Sequence, residues 1–159
     1  MQGISDTRAC AANTNSANCD GQYPVTVLAK PGVGSGACID SQTQRFPQVF
    51  QDEKNTPLAE LDLYWSPTCQ TYFAHALFFQ GQTTITVKVV EHSGLGYTID
   101  GTRFEYFNVE QSSGSVQGSD VWSPMKWSSS GSVSAEAKFS GPNGGTLLTT
   151  PRYIGGVPQ

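Results

Sequence analysis

From Leu58 onward, hydrophobic and polar residues alternate with a period of two. The segment LAELDLYW places one hydrophobic set opposite one polar set: Leu61, Leu63 and Trp65 against Glu60, Asp62 and Tyr64. The segments TTITVKVVE and SVSAEAKF repeat this alternation, with apolar residues at positions 85, 87 and 89 and at 133, 135, 137 and 139. A period of two is typical of a strand with one buried face. Apolar residues do not recur at helical spacing over a helical length, so the chain is predicted to be all-β.

One turn and one ambiguous segment complete this pattern. The dipeptide Asp100-Gly101 lies between GYTI and TRFEYF, which predicts a β-hairpin with a type I′ turn. The segment CQTYFAHALFF fits either a strand or a short buried helix, and its aromatic content favours a strand.

The predicted fold is a single antiparallel sandwich or small barrel of about eight strands. With 159 residues the chain has the size of one domain, 1–159. Residues 58–150 form its main sheet region. Residues 1–57 are rich in Asn, Gly, Pro and Ser, and they contain only two short strand candidates, Val25–Leu28 and Arg45–Phe50.

Composition excludes several classes of protein. Charged residues make up 14% of the chain and the net charge is −4, which argues against a nucleic-acid partner bound through clustered cations. Apolar runs are far shorter than the roughly 20 residues of a membrane span. The first residues lack a basic end followed by an apolar stretch, so any signal peptide is expected to be absent from this numbering already.

The four cysteines all lie in the first 69 residues, at Cys10, Cys19, Cys38 and Cys69. An even number at irregular spacing in a weakly charged chain predicts two disulfides in an exported protein, which tie the N-terminal segment to the sheets. Three pairings are open. A zinc site is the alternative, but no two of these cysteines have the close spacing that zinc ligands usually show.

The same region carries a resemblance to a known family. The residues concerned are CDGQYP at 19–24, Cys38, LDLYWSPTCQTYFAHA at 61–76 and Trp122-Ser123-Pro124-Met125. They resemble the exported bacterial proteins catalogued as domain of unknown function 2690, and the match covers most of the chain. The resemblance implies export, disulfides and a β-rich fold, and it implies no activity. Asp62 and His75 stand where that family has basic residues.

Aromatic residues are the candidate binding groups, because exposed Trp and Tyr rings stack on sugars and are frequent in interfaces. Trp122 and Trp127 flank a short polar segment, and Tyr97 and Tyr153 could extend the same surface. Sequence parity places Trp122 and Trp127 on opposite faces, although a bend at Pro124 would turn both outward. The alternative is that the tryptophans fill the core, which is the prediction for Trp65.

Catalytic and metal-binding signals are weak. Glu60 and Asp62 share one face of a strand at a spacing of roughly 6–7 Å, which glycoside hydrolysis could use. A solvated sheet face gives the same spacing without any catalytic role. His75 lies in an apolar run and is expected to be a partly buried structural residue. Asp20-Gly21 and Asp52-Glu53 lack the ligand ladder of a calcium loop, so no metal or cofactor is predicted.

Three functions follow from these features. The first is an exported, non-catalytic β-protein at the cell surface, whose partner is a wall polysaccharide or another surface protein. The second is a structural subunit that self-associates, with TLLTT in residues 140–159 donated to a neighbouring sheet. The third is a secreted hydrolase that uses Glu60 or Asp62.

Overall fold

The computed structural model contains only strands, turns and loops in the part of the chain that it describes. This part comprises residues 21, 23–24, 38, 43–67, 69–93, 97–104, 107–127, 132–141, 144–151, 153–154 and 157–158. A search of these residues for a helix able to cross a bilayer finds none. The predicted all-β class is therefore confirmed.

The first sheet is antiparallel and is built on three consecutive long strands. These strands are β1 (Gln44–Gln51), β2 (Pro57–Ser66) and β3 (Thr71–Phe78), in that order across the sheet. Two later strands continue the sheet beyond β3: β9 (Asp120–Trp122) and β10 (Lys126–Trp127). Pro47 lies within β1, which fits a strand at the edge of a sheet because proline lacks an N–H to donate.

The second sheet is centred on the paired strands β4 (Thr83–Ser93) and β11 (Val133–Gly141). The other edge of β4 pairs with β7 (Phe107–Ser112) and β8 (Val116–Gly118). The other edge of β11 pairs with β12 (Gly144–Thr149) and β13 (Tyr153–Ile154), and β13 pairs with β14 (Val157–Pro158). Strands β5 (Tyr97–Ile99) and β6 (Thr102–Phe104) form a separate hairpin.

The two sheets pack face to face around the larger of two hydrophobic clusters among the described residues. The alternating apolar residues predicted to point inward are all buried there: Leu61, Leu63, Ile85, Val87, Val89, Val133, Ala135, Ala137 and Phe139. Trp65 packs against this core, with its ring centroid 4.7 Å from that of Tyr72. Because the two sheets do not share a paired strand within the described residues, the fold is a sandwich and not a small barrel.

The local predictions are also confirmed where the structure describes the residues concerned. Asp100 and Gly101 both have positive φ, 52° and 80°, as a type I′ hairpin turn requires. The ambiguous segment after Cys69 is strand β3, and the candidate Arg45–Phe50 lies within β1. The candidate Val25–Leu28 lies outside the described residues.

One disulfide joins the N-terminal segment to the first sheet. Cys38 and Cys69 are bonded and buried, with their Cα atoms 5.7 Å apart, and they pack against Phe73 and Met125. The predicted disulfide link between the N-terminal segment and the sheets is confirmed for this bridge. Because Cys38 and Cys69 are bonded to each other, they are not zinc ligands. Cys10 and Cys19 lie outside the described residues, so their pairing stays a prediction.

Candidate functional site

The face of the first sheet that points away from the core carries charged and aromatic side chains close together. On β2, Asp62 lies opposite His75 of β3, and His75 in turn lies opposite Trp122 of β9. One pair further along, Tyr64 lies opposite Arg45 of β1. Together with Glu60 and Asp120, these side chains form what is called here the charged–aromatic face. It exists because period-two alternation turns the polar positions of β2 away from the core.

Arg45 connects two carboxyl groups on this face. Its Nη2 donates to Oε2 of Glu60 at 2.6 Å, and its Nε donates to Oδ2 of Asp62 at 3.1 Å. The side chain of Arg45 is 50% exposed, whereas those of Glu60 and Asp62 are 13% and 1% exposed. One half-exposed guanidinium therefore covers a nearly buried pair of carboxyl groups, here called the carboxyl cluster (Arg45, Glu60 and Asp62).

The environment of the carboxyl cluster shifts the pKa values of its two acids in opposite directions. Burial raises the pKa of Asp62 to about 7, and a hydrogen bond to Glu60 and the negative charge of Glu60 act in the same direction. Burial also tends to raise the pKa of Glu60. Hydrogen bonds with Asp62 and Arg45 outweigh burial, so the pKa of Glu60 lies below its usual value.

One carboxyl oxygen of Asp62 lacks a hydrogen-bond partner. Oδ2 of Asp62 accepts from Arg45, whereas Oδ1 is buried and has no hydrogen-bond partner. A protonated Asp62 can donate to a carboxylate of Glu60, so the proton converts a repulsive contact into a charge-assisted hydrogen bond.

The aromatic rings lie beside the carboxyl cluster in a contiguous group. The ring of Tyr64 stacks on Phe73 with centroids 5.3 Å apart, and it lies 5.4 Å from Trp122. The imidazole of His75 stacks on the Trp122 indole, with centroids 3.9 Å apart and planes 7° from parallel. Nε2 of His75 also pairs with the carboxylate of Asp120, which is 58% exposed.

Tyr64 connects the rings to the carboxyl cluster electrostatically. Burial raises the pKa of its hydroxyl above the usual value, and the charge of Asp62 raises it further. Hydrogen bonding to Asp62 contributes to the same shift. The hydroxyl of Tyr64 is therefore coupled electrostatically to Asp62.

Trp122 and Trp127 lie on the same face of the sheet, so the parity prediction is wrong. Trp122 pairs with His75, and Trp127 pairs with Thr71. The two tryptophans are five positions apart in the sequence, whereas their partners on β3 are only four positions apart. The extra residue lies in the Ser123–Met125 segment between β9 and β10. This extra residue brings both tryptophans to one face, where both are partly buried and lie about 13 Å apart at the rise of a strand. The predicted bend at Pro124 that turns both rings outward stays a prediction.

The two candidate tyrosines do not extend this face. The predicted surface position of Tyr153 is wrong, since its side chain is 8% exposed and its ring centroid lies 4.3 Å from that of Phe46 in the core. Pairing of β13 with β11 turns Tyr153 inward at the end of the second sheet. Tyr97 belongs to β5 of the separate hairpin, and its side chain lies outside those described.

Metal-ligating groups do not converge in the described part of the chain. No cluster of three or more His, Cys, Asp or Glu residues suited to a metal ion occurs among those residues. Asp52, one of the weak calcium candidates, accepts hydrogen bonds from the backbone N–H groups of Lys54 and Thr56 at 2.8 and 3.0 Å. This pattern gives Asp52 a turn-forming role. Asp20 lies outside the described residues.

Burial keeps Asp62 from acting as a general acid or base on a molecule bound at the charged–aromatic face. A general acid must come within hydrogen-bond distance of the reacting atom. Asp62 has the raised pKa that such an acid needs, but its side chain is 1% exposed beneath Arg45. The groups that solvent reaches are Arg45 and Asp120, and they flank rings that are only partly buried.

Comparisons with protein-family models, with curated proteins and with solved structures find no match for this chain. The assignment of the site therefore rests on its own geometry. Two of its members, Arg45 and Asp120, gave no signal in the sequence, because only the register of β1 and β9 brings them to β2 and β3.

Proposed function

We propose that this chain is an exported, non-catalytic binding protein whose charged–aromatic face binds a cell-wall polysaccharide. The observation that carries this proposal is the position of the Tyr64 and Trp122 rings between the exposed polar groups of Arg45 and Asp120. Sugar rings present an apolar face to an aromatic ring and hydroxyl groups at their edge, so they match such an arrangement. Export is supported by the Cys38–Cys69 disulfide, which is typical of oxidising compartments.

The polar groups of this face are exposed to a ligand, whereas its aromatic rings are partly buried and held in place. Arg45 and Asp120 are 50% and 58% exposed, and Trp122 is partly buried against His75. Packing of the Trp122 ring fixes its orientation before a ligand arrives, which lowers the entropy lost on binding. Arg45 donates, and Asp120 accepts, the hydrogen bonds that sugar hydroxyls require.

Self-association is the second candidate, and one observation bears on it. TLLTT, the segment predicted to pair with a neighbouring sheet, pairs with β11 of its own chain, for example Leu148 with Ala137. Within the described residues β12 has no second partner strand, and Leu147 is 62% exposed. An assembly through β12 would therefore extend the second sheet instead of exchanging a strand.

The test measures binding of purified bacterial cell-wall polysaccharide and its soluble fragments by isothermal titration calorimetry. Trp122→Leu removes the ring but keeps an apolar side chain, and it is expected to weaken binding at least 10-fold. Leu147→Ala, on the second sheet, is the matched control and should bind like wild type. Wild-type chain that binds no fragment, or a Trp122→Leu variant that binds equally well, would refute the proposal.

The same samples distinguish the other two functions. Release of reducing ends from the polysaccharide, abolished by Glu60→Gln, would identify a hydrolase instead. Light scattering over a concentration series would identify assembly, and a monomer at the highest concentration would exclude it.

A further inference from the structure

The carboxyl cluster lies directly against the rings that form the proposed binding face. Asp62 faces Arg45 and Pro47 from β1, Glu60 and Tyr64 from its own strand, and His75 from β3. His75 carries the connection to β9, because its ring stacks on Trp122 and its Nε2 pairs with Asp120. Among the described residues, the titratable or charged groups that these pairings and contacts place around Asp62 are therefore Arg45, Glu60, Tyr64 and His75.

The charge balance of this cluster depends on one proton. With one proton on its two acids, Arg45 and the remaining carboxylate neutralise each other. Loss of the proton leaves two carboxylates for one guanidinium, and the carboxylate of Asp62 is 1% exposed, with a buried oxygen that has no partner. A buried excess charge is costly, so neighbouring side chains must move or admit water.

We propose that the carboxyl cluster is a proton-dependent latch on the charged–aromatic face. One proton held by Asp62 and Glu60 keeps Tyr64, His75 and Trp122 in the stacked arrangement of the structure, and loss of this proton in mildly alkaline solution releases it. The consequence for ligand binding rests on the proposed function, whereas the movement of the rings does not.

The first experiment follows the free protein by NMR between pH 5.5 and 8.5. The carboxyl carbon of Asp62 reports its own titration, and the indole resonances of Trp122 report the stack. The two should change with one midpoint, near the pKa of about 7 for Asp62. In His75→Gln, which lacks the imidazole stacked on Trp122, the additional change Asp62→Asn should abolish the Trp122 transition. A Trp122 transition that persists in this double variant, or its absence from wild type, would overturn the latch.

Three further variants separate the latch from other causes. Glu60→Gln removes a hydrogen-bonding and charged neighbour that raises the pKa of Asp62, so the midpoint should move to lower pH while the transition persists. His75→Gln removes the imidazole that stacks on Trp122, and the Trp122 indole should still respond to Asp62. Glu136→Gln removes a carboxylate that pairs with Lys88 on the second sheet, and it should leave the midpoint unchanged.

The second experiment repeats the binding titration with wall-polysaccharide fragments at pH 5.5 and 8.5. If only the latched state binds, the affinity at pH 8.5 should fall by up to about 30-fold, in proportion to the protonated fraction. Asp62→Asn should bind equally at both values. Equal wild-type affinity at both values would contradict the latch, whereas coupled NMR titrations without any binding would contradict only the proposed function.

Discussion

The Nε atom of Arg45 lies 3.1 Å from Oδ2 of Asp62, so a half-exposed cation on an edge strand holds a buried carboxyl group on its neighbour. The same guanidinium also holds Glu60. Because two acids share one cation, the cluster is electrically balanced only when one acid is protonated. This relationship makes the stability of the sandwich depend on pH in a defined direction.

The unfolding free energy should change with pH through Asp62. Its pKa is about 7 in the folded chain, against an ordinary value of 3.8. The folded state therefore binds more protons than the unfolded state within this window, and stability contributed by this group falls as pH rises through it. Asp62→Asn removes the effect. As pH rises from 4 to 8, the unfolding free energy of this variant should increase relative to that of wild type, by at most about 4 kcal/mol.

Urea unfolding at several pH values, followed by circular dichroism, measures this difference. Glu136→Gln provides the matched control, since its carboxylate lies on the other sheet. A difference between Asp62→Asn and wild type that is the same at pH 4 and pH 8 would contradict the assignment of the protonated acid.

Removal of the shared cation, Arg45, should lower the stability of the fold, whereas Asp62→Asn should raise it. Arg45→Met leaves Glu60 and Asp62 without their positive partner, and the unpaired acids should destabilise the fold by about 1–3 kcal/mol. The loss should be larger at pH 8 than at pH 5, because both acids are then ionised. Lys88→Met, which breaks an ion-pair network on the second sheet, is the comparison. If Arg45→Met lost the same unfolding free energy at pH 5 and pH 8, the result would contradict the role of Arg45 as the shared partner of two ionised acids.

The disulfide should contribute strongly to stability. Cys38 and Cys69 are separated by 31 residues, and closure of a loop of this length restricts the unfolded chain by about 3–4 kcal/mol. The double variant Cys38→Ala/Cys69→Ala should lose this amount, with a lower urea midpoint. An unchanged midpoint would show that the bridge constrains little in solution.

A leucine placed in the core by period-two alternation should differ sharply in its contribution to stability from an exposed leucine. Leu63→Ala opens a cavity between the sheets and should cost about 2–5 kcal/mol. Leu147→Ala removes a side chain that is 62% exposed and should cost less than about 0.5 kcal/mol. Thermal unfolding of both variants, measured side by side, tests the assignment of the core. Similar losses would contradict it.

Period-two alternation and turn chemistry determined most of the fold from the sequence. The inward positions of β2, β4 and β11, the Asp100-Gly101 turn and the strand after Cys69 all follow from local rules. Each rule uses residues a few positions apart, so no knowledge of distant partners is needed. Glu60 and Asp62 were placed together on one outward face in the same way.

Only the tertiary structure decided the site and its chemistry. Arg45, His75 and Trp122 come from three different strands, and the register that sets them beside Asp62 depends on pairing between distant segments. The extra residue between β9 and β10 reversed the parity of Trp127, and pairing with β11 buried Tyr153. Alternation within a strand tells which face a residue takes. Its neighbours across the sheet, and so the charge and burial of Asp62, are determined by long-range packing.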